Sequence, residues 1–270
     1  MSAPASAFGA PAPASAPALL AAESVSYRYR RAGHDVLVGV DVAVGPGASL
    51  GLVGESGAGK STLAQLLLGL HVPTAGRILF RGEPLRLDDR SARLAFRRSV
   101  QTVFQDPYSS LDPRMTVGRS IAEPLVSLGT AQRSAEDRRA RVGALLESVG
   151  LPADAATRYP SAFSGGQRQR IAIARALAPD PAVLIADEPV SALDMSVRIQ
   201  IVDLLRDLAA ARGLSLVLVS HDLSVVAALC ENIAVLHDGR VVEQGATDVV
   251  LRSPADPYTR RLIDAIPRLP

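Results

Sequence analysis

An α/β fold is predicted by three features of this sequence. Short apolar runs of strand length, at Ser49–Val53, Val183–Ala186 and Leu214–Val219, each end in a polar tip and are followed by a helical pattern. A glycine-rich loop joins the first of these strands to its helix. Between about Asp106 and Ala162 the strand–helix rhythm gives way to helical patterns, which marks a helical insertion.

Taken in order, residues 1–20 are dominated by Ala, Pro and Ser and lack a basic n-region, so they read as a disordered tail and not as a secretion signal. Residues 22–53 read as β-rich. Val25–Tyr29 alternates like an edge strand, and Asp35–Val44 resembles a further strand pair. Ser49–Val53 then runs into Gly54-Glu55-Ser56-Gly57-Ala58-Gly59-Lys60-Ser61-Thr62, which fits the P-loop pattern G-x-x-x-x-G-K-[ST]. Leu63, Leu66, Leu67 and Leu70 recur behind it at helical spacing.

The chemistry of that loop accounts for its residue types. Glycine adopts positive φ at little cost, so the backbone can wrap closely around phosphate. Successive N–H groups and the following helix N-terminus converge on the anion. Lys60 is placed to reach the β- and γ-phosphates, and the Ser61 hydroxyl to ligate Mg²⁺. Lys60 is also the only lysine among 29 basic residues. A chain that uses arginine everywhere else keeps a compact ammonium here. These residues imply a nucleoside triphosphate ligand; a bare glycine-rich turn accounts for neither the lysine nor the hydroxyl.

Composition narrows the remaining classes. A formal charge of +2 with 48% hydrophobic residues describes an ordinary soluble protein. The sequence pI of about 9.0 reflects only a small charge excess, which argues against bulk nucleic-acid binding. No continuous apolar run reaches the roughly 18 residues of a membrane span. The single Cys230 excludes an internal disulfide and is expected to be a buried thiol in a reducing compartment.

Beyond the first helix, Val72–Gly76 reads as a turn and Arg77–Phe80 as a strand. The arginine-rich Arg90–Arg98 reads as a solvated helix face, and Ser99–Phe104 as a strand ending at Gln105-Asp106-Pro107. Within the insertion, Ser134 and Asp137 form a capping box, and Leu145, Leu146 and Val149 form an apolar face. Gly150 with Pro152 stops that helix. Ser164-Gly165-Gly166-Gln167 then opens a helix running to Ala178. A serine and two glycines at a helix start suit an anion, although the same trio caps many ordinary helices.

Val183–Glu188 is a buried strand ending in two carboxylates. Beside a P-loop, the Asp187 carboxylate can hold Mg²⁺ through its waters, and Glu188 can orient and deprotonate an attacking water. His221 follows the strand Leu214–Val219, at a sheet edge where α/β proteins place ligands; a structural histidine is the alternative. Ile233–His237, Asp238-Gly239 and Arg240–Glu243 spell a β-hairpin, and the tail after Ser253 is punctuated by prolines.

In this order the pieces resemble the ATP-binding subunit of an ABC transporter over roughly residues 22–267. The P-loop is followed by a glutamine loop at Gln105, a signature at Ser164–Gln167 and a magnesium strand ending at Asp187 and Glu188. A D-loop at Ser191–Asp194 and a switch histidine at His221 complete the set. The stretch Phe104–Arg114, and the tail Pro257–Leu262 with Ala265–Pro267, are similar to oligopeptide and dipeptide importer ATPases. Tyr108 and Arg114 favour the second of that subfamily's two ATPase subunits, and nickel importers share much of the pattern. Phe163 replaces the common leucine before the signature, Ser161 and Ala162 replace a His-Glu pair, and Asp256 replaces a tail histidine. With one cysteine, the chain cannot build the C-terminal iron–sulfur cluster of some relatives.

The resemblance implies a P-loop NTPase (RecA-like) core with an antiparallel β-subdomain and a helical subdomain. On that reading residues 21–252 are the ATPase domain, with the helical subdomain at about 106–178, and residues 253–270 are an extension of the peptide-importer type. It implies a head-to-tail ATPase dimer with each ATP between one subunit's P-loop, Gly54–Thr62, and the other's signature. Tyr29 would stack on adenine, while Gln105 and Asp187 join Ser61 in the metal and water shell. Glu188 would be the general base and His221 would brace the γ-phosphate. Ser164, Gly165, Gly166, Gln167 and Asp194 would complete the partner's site. The implied partners are a second ATPase subunit (a sister chain or a copy), two permeases and an extracytoplasmic binding protein, at the cytoplasmic face of the membrane. The cargo stays open among peptide, metal chelate and sugar.

Two competitors stand beside this. Non-transport ABC ATPases acting on DNA or ribosomes usually carry two ATPase halves or a long coiled-coil insertion, whereas this chain has one P-loop, one signature and no sustained heptads. A P-loop kinase or GTPase would leave the signature, the D-loop and His221 unexplained.

Overall fold

The computed structural model describes residues 18–30, 33–106, 110–130 and 134–265. Most of the tail read as disordered, together with Pro107, Tyr108, Ser109, Ile266 and Pro267 of the importer-like segments, lies outside the described residues.

The strands are β1 (Leu20–Tyr27), β2 (Leu37–Val44), β3 (Ser49–Val53), β4 (Ala75–Phe80), β5 (Glu83–Pro84), β6 (Val100–Val103), β7 (Val183–Asp187), β8 (Ser215–Val219), β9 (Asn232–His237) and β10 (Arg240–Ala246). They form a four-stranded antiparallel sheet in the order β2-β1-β4-β5 and a six-stranded sheet in the order β10-β9-β3-β8-β7-β6. The larger sheet is parallel from β9 to β6, with β10 antiparallel at one edge.

The apolar runs predicted as buried strands take the centre of the larger sheet because both of its faces are covered. Leu52, Ile185, Val217 and Leu236 point into a core shared with the antiparallel sheet and with α1 (Lys60–Leu67). Val53, Leu184, Leu218 and Val235 point into the opposite core. That second core is shared with the helices α3 (Val117–Ser127), α4 (Ala135–Ser148), α5 (Gly165–Leu177) and α6 (Met195–Arg212). The arginine-rich α2 (Arg90–Ser99) is mostly solvated, but Phe96 is buried edge-on against Phe80.

Local signals hold in the inserted helices. Ser134 and Asp137 form the reciprocal capping box: the Asp137 N–H donates to Ser134 Oγ at 2.9 Å and the Ser134 N–H to Asp137 Oδ2 at 3.3 Å. Leu145, Leu146 and Val149 are buried, each such side chain contributing about 1.5–3 kcal/mol. Gly150 ends the segment at φ +75°, a conformation that glycine adopts without strain.

Three expectations are corrected. β1 is not an edge strand: it pairs with β2 on one side and β4 on the other. Its alternation reflects one buried face, which does not show whether the backbone is paired on both edges. Asp35–Val44 is one strand, not a strand pair, and its register with β1 shifts twice. Leu70 lies beyond the end of α1 and is 55% exposed, because the chain turns at Gly69 with φ +65°.

The C-terminal part is more regular than its prolines suggest. β9 and β10 form the expected hairpin, with Asp238 and Gly239 both at positive φ as a type I′ turn requires. α7 (Leu223–Leu229), α8 (Thr247–Arg252) and α9 (Pro257–Asp264) follow β8 and the hairpin. Pro257 occupies the first turn of α9, where a missing N–H costs nothing, and Asp256 caps it. Among the described residues, no helix is long and apolar enough to cross a membrane.

Candidate functional site

Parallel strands release their carboxyl ends at one edge of the sheet, and four of them converge here. Leu52 of β3 lies opposite Val219 of β8, which lies opposite Asp187 of β7. Next in line, Val103 of β6 lies opposite Ala186. The residues just past these tips are Gly54, His221, Glu188 and Gln105.

The loop after β3 is shaped by two glycines. Gly54 has φ +148°, and a Cβ there would lie 2.2 Å from the Leu236 carbonyl oxygen. Gly59 has φ +102° directly before α1, and a Cβ there would lie 2.6 Å from Leu37 Cδ2. A side chain would be strained by φ at either position, and at Gly54 it would also run into backbone. Lys60 is buried and turns back across the loop, its Nζ donating to the carbonyls of Gly54 and Glu55 at 2.7 Å each. Burial pushes its ammonium below the usual lysine range, against the opposing charges of Glu188, Asp187 and Glu55.

Ser61 Oγ donates to Asp187 Oδ1 at 3.4 Å. Burial holds the Asp187 carboxyl above the usual carboxylate range; the Ser61 hydrogen bond and Lys60 oppose this, and the Glu188 charge adds to it. Glu188 has φ +49°, an uncommon conformation for a side-chain-bearing residue, and its N–H is held by the Val219 carbonyl at 2.9 Å. Glu188 Oε1 accepts the His221 backbone N–H at 3.0 Å and lies 2.7 Å from His221 Nδ1. A cleft of about 640 Å³ is lined by Val36, Ser56, Gly57, Gly59, Lys60, Ser61, Thr62, Gln105, Glu188 and His221.

Tyr29 is not part of that wall. It follows β1, its Oη lies 3.1 Å from Thr62 Oγ1, and its ring packs edge-on against Tyr27 at 4.9 Å. Val36 lines the cleft without having drawn notice in the sequence, since a valine before a strand carries no chemical signal.

The signature residues lie elsewhere. Ser164 caps α5 in a reciprocal box with Gln167. Ser164, Gly165 and Gly166 line a second cleft, of about 220 Å³, together with Ala192, Leu193, Asp194 and Val197. Gly166 lets α5 approach α6 closely, because a Cβ there would lie 2.4 Å from Val197 Cγ1. The two clefts share no lining residue. One chain therefore presents the P-loop, Gln105, Glu188 and His221 in one place, and the signature with Asp194 in another.

One contact to the loop was invisible in the sequence. The Glu55 N–H donates to Tyr258 Oη on α9 at 2.9 Å, although 203 residues separate the two.

Residues 37–191 match the family described as ABC transporter. The chain is 47% identical over 86% of its length to the dipeptide transport ATP-binding protein DppF of Haemophilus influenzae, covering 71% of that protein. It is 48% identical over 86% of its length to DppF of Escherichia coli strain K12, covering 69% of it. To the glutathione import ATP-binding protein GsiA of Salmonella typhi it is 52% identical over 82% of its length, covering 35% of that longer chain. Among solved structures, cbiO1 of Clostridium perfringens, part of the ABC transporter complex cbiONQ, superposes with a TM-score of 0.78 at 31% identity, over 87% of this chain and 91% of that one. The ATP-binding cassette MJ0796, in a dimeric post-hydrolysis state bound to ADP and Pi, superposes with a TM-score of 0.75 at 32% identity, over 84% and 98%. With its P-loop, its sheet order and these matches together, the chain belongs to the ABC transporter family and is one of that family's ATPases.

Proposed function

We propose that the chain is the ATP-hydrolysing subunit of an import system for peptides, working in a head-to-tail dimer of ATPase subunits. The observation that carries this reading is the division of the site residues between two clefts on one chain. Pairing two such chains head to tail sets each P-loop cleft against the other's signature cleft, so neither subunit holds a whole site alone. The dimeric state of MJ0796 supports the pairing, and the import functions named for DppF and GsiA support small peptides as cargo.

On this reading Gly54–Thr62 cradle the phosphates, and Lys60, whose ammonium has three N–H donors, stays on the Gly54 carbonyl while reaching the β- and γ-phosphate oxygens. Glu188 positions and deprotonates the attacking water, His221 holds Glu188, and Gln105 completes the wall. Tyr29 offers a ring for adenine from beside Thr62. Among the described residues no group of three or more His, Cys, Asp or Glu side chains is placed to hold a metal. Mg²⁺ does not need one: it binds through few protein oxygens, waters and substrate phosphates. Ser61 and Asp187 supply hard oxygen donors side by side and would hold it, where it would neutralise charge on the phosphate oxygens. Two permeases and a binding protein would complete the system at the cytoplasmic face of the membrane. Residues 21–252 would be its ATPase domain and residues 253–270 the extension.

The test is affinity purification of the tagged chain from detergent-solubilised membranes, with mass spectrometry of its companions. The expected companions are two multi-spanning proteins and a second ATPase. Recovery only from the soluble fraction, with ribosomal or DNA-bound partners, would sink the transport reading and leave the ATPase intact.

A further inference from the structure

We propose that Tyr258, on the C-terminal helix α9, is a positioning residue for the phosphate-binding loop, acting on Lys60 through the peptide unit between Gly54 and Glu55. The inference rests on the reading of Gly54–Thr62 as the phosphate cradle.

A trans peptide is planar, with its C=O and N–H pointing to opposite sides. In this peptide unit the Gly54 carbonyl accepts Lys60 Nζ at 2.7 Å, and the Glu55 N–H donates to Tyr258 Oη at 2.9 Å. The unit is therefore gripped from both sides: by the lysine within the loop and by the tyrosine behind it. Rotating the plane to release one contact breaks the other. Tyr258 thus sets the direction of the carbonyl on which the Lys60 ammonium rests, and hydrogen bonds linked through one amide polarise each other.

Tyr258 is itself held firmly. It is only 5% exposed, and its ring stacks on His237 with centroids 3.8 Å apart. The Tyr258 N–H donates to Asp256 Oδ1 at 2.7 Å. One step further out, the Glu243 carboxylate accepts the N–H groups of Ala255 at 2.8 Å and Asp256 at 3.1 Å, tying the entry to α9 onto β10. From the same side the Gly239 N–H, in the hairpin turn, donates to the Ala58 carbonyl at 3.3 Å. The loop is thus braced at both ends by the C-terminal part of the chain, and Tyr258 is the contact that reaches the Gly54–Glu55 peptide on which Lys60 rests.

Tyr258→Phe removes the acceptor and keeps the ring that stacks on His237. In the full-length chain, calorimetric titration with Mg²⁺·ATP should show affinity weakened about three- to tenfold, the factor one hydrogen bond carries. The nucleotide-free melting temperature should stay within about 2 °C of the parent, as expected when the packing is kept. Hydrogen exchange at the Glu55 amide should accelerate. In a Lys60→Ala background, Tyr258→Phe should cost almost nothing further, because the two act through one peptide. Unchanged affinity and exchange in Tyr258→Phe, or an equal loss with and without Lys60, would overturn the proposal. Parental affinity in Lys60→Ala alone would overturn the cradle reading and this inference with it.

Discussion

The carboxylate of Glu188 and the imidazole of His221 meet at a single oxygen: Oε1 accepts the His221 backbone N–H at 3.0 Å and lies 2.7 Å from its Nδ1. Glu188 is also held in a left-handed conformation at φ +49°, which costs on the order of 1–3 kcal/mol and persists only where the surroundings over-determine it. Those surroundings include the Val219 carbonyl on its N–H and the Ser191 hydroxyl on its own carbonyl at 3.1 Å. The strand tip is built to aim one carboxylate into the cleft.

Glu188→Gln keeps the size of the side chain and removes its basicity. Turnover in the assembled system should fall at least about a hundredfold, the scale of losing a general base, with ATP-bound dimers accumulating. His221→Ala removes the ring contact but leaves the backbone N–H on Oε1, so its loss of turnover should be smaller. Steady-state phosphate release and size-exclusion chromatography in ATP check both; near-normal turnover in Glu188→Gln would remove that residue from its role.

Asp187 gives a pH prediction with a definite sign. Burial raises its folded-state pKa, so its protonated form is the one the fold favours. Its favourable contribution is present below the unfolded pKa and is lost as pH rises through the folded value. At neutral pH the ionised carboxylate therefore opposes folding of the nucleotide-free chain. Asp187→Asn should melt higher than the parent near pH 7.5, with the gap closing in acid. The same variant should lose the dependence of ATP affinity on Mg²⁺. A lower melting temperature at neutral pH contradicts the argument.

Because Ser164 and the P-loop lie in separate clefts, their variants should separate binding from turnover. Ser164→Arg should bind Mg²⁺·ATP like the parent as an isolated chain, yet lose nearly all turnover once assembled. Calorimetry on the free subunit and phosphate release from the complex give the two readings. Impaired binding by the free subunit would show that the clefts are coupled within one chain.

Cys230 is 5% exposed, and burial, with the neighbouring Glu231 charge, pushes its thiol up to about 12. The thiolate is the reactive form, so the native chain should resist a thiol reagent near pH 8. As the only cysteine, it should react once per chain after denaturation. Fast stoichiometric labelling of the native protein would contradict this burial.

Where the chemistry is local, the sequence was legible. The P-loop, the Ser134–Asp137 capping box, the helix start at Ser164 and the Asp238-Gly239 hairpin each depend on residues a few positions apart. Their geometry follows from backbone conformation and short-range hydrogen bonds. The buried runs of β3, β7 and β8 were legible too, because a parallel sheet covered on both faces demands continuous apolar strands.

Strand neighbours were not legible. Alternation in Val25–Tyr29 reports one buried face, whereas whether β1 is internal depends on backbone groups that every residue carries alike. Leu70 kept the helical period, yet the turn at Gly69 placed it in solvent.

By itself, then, the sequence determined that a loop of P-loop pattern stands at Gly54–Thr62 and which strand tips carry carboxylate, imidazole and amide. Specific residue types at fixed short spacing are needed for that chemistry, wherever the rest of the chain goes. Only the tertiary structure decided that Glu188 and His221 share an oxygen, that Ser164 and Asp194 stand apart from Lys60, and that Tyr258 grips the loop 203 residues away. Those relationships join elements far apart in sequence, and the packing of the two cores against the sheet sets their distances.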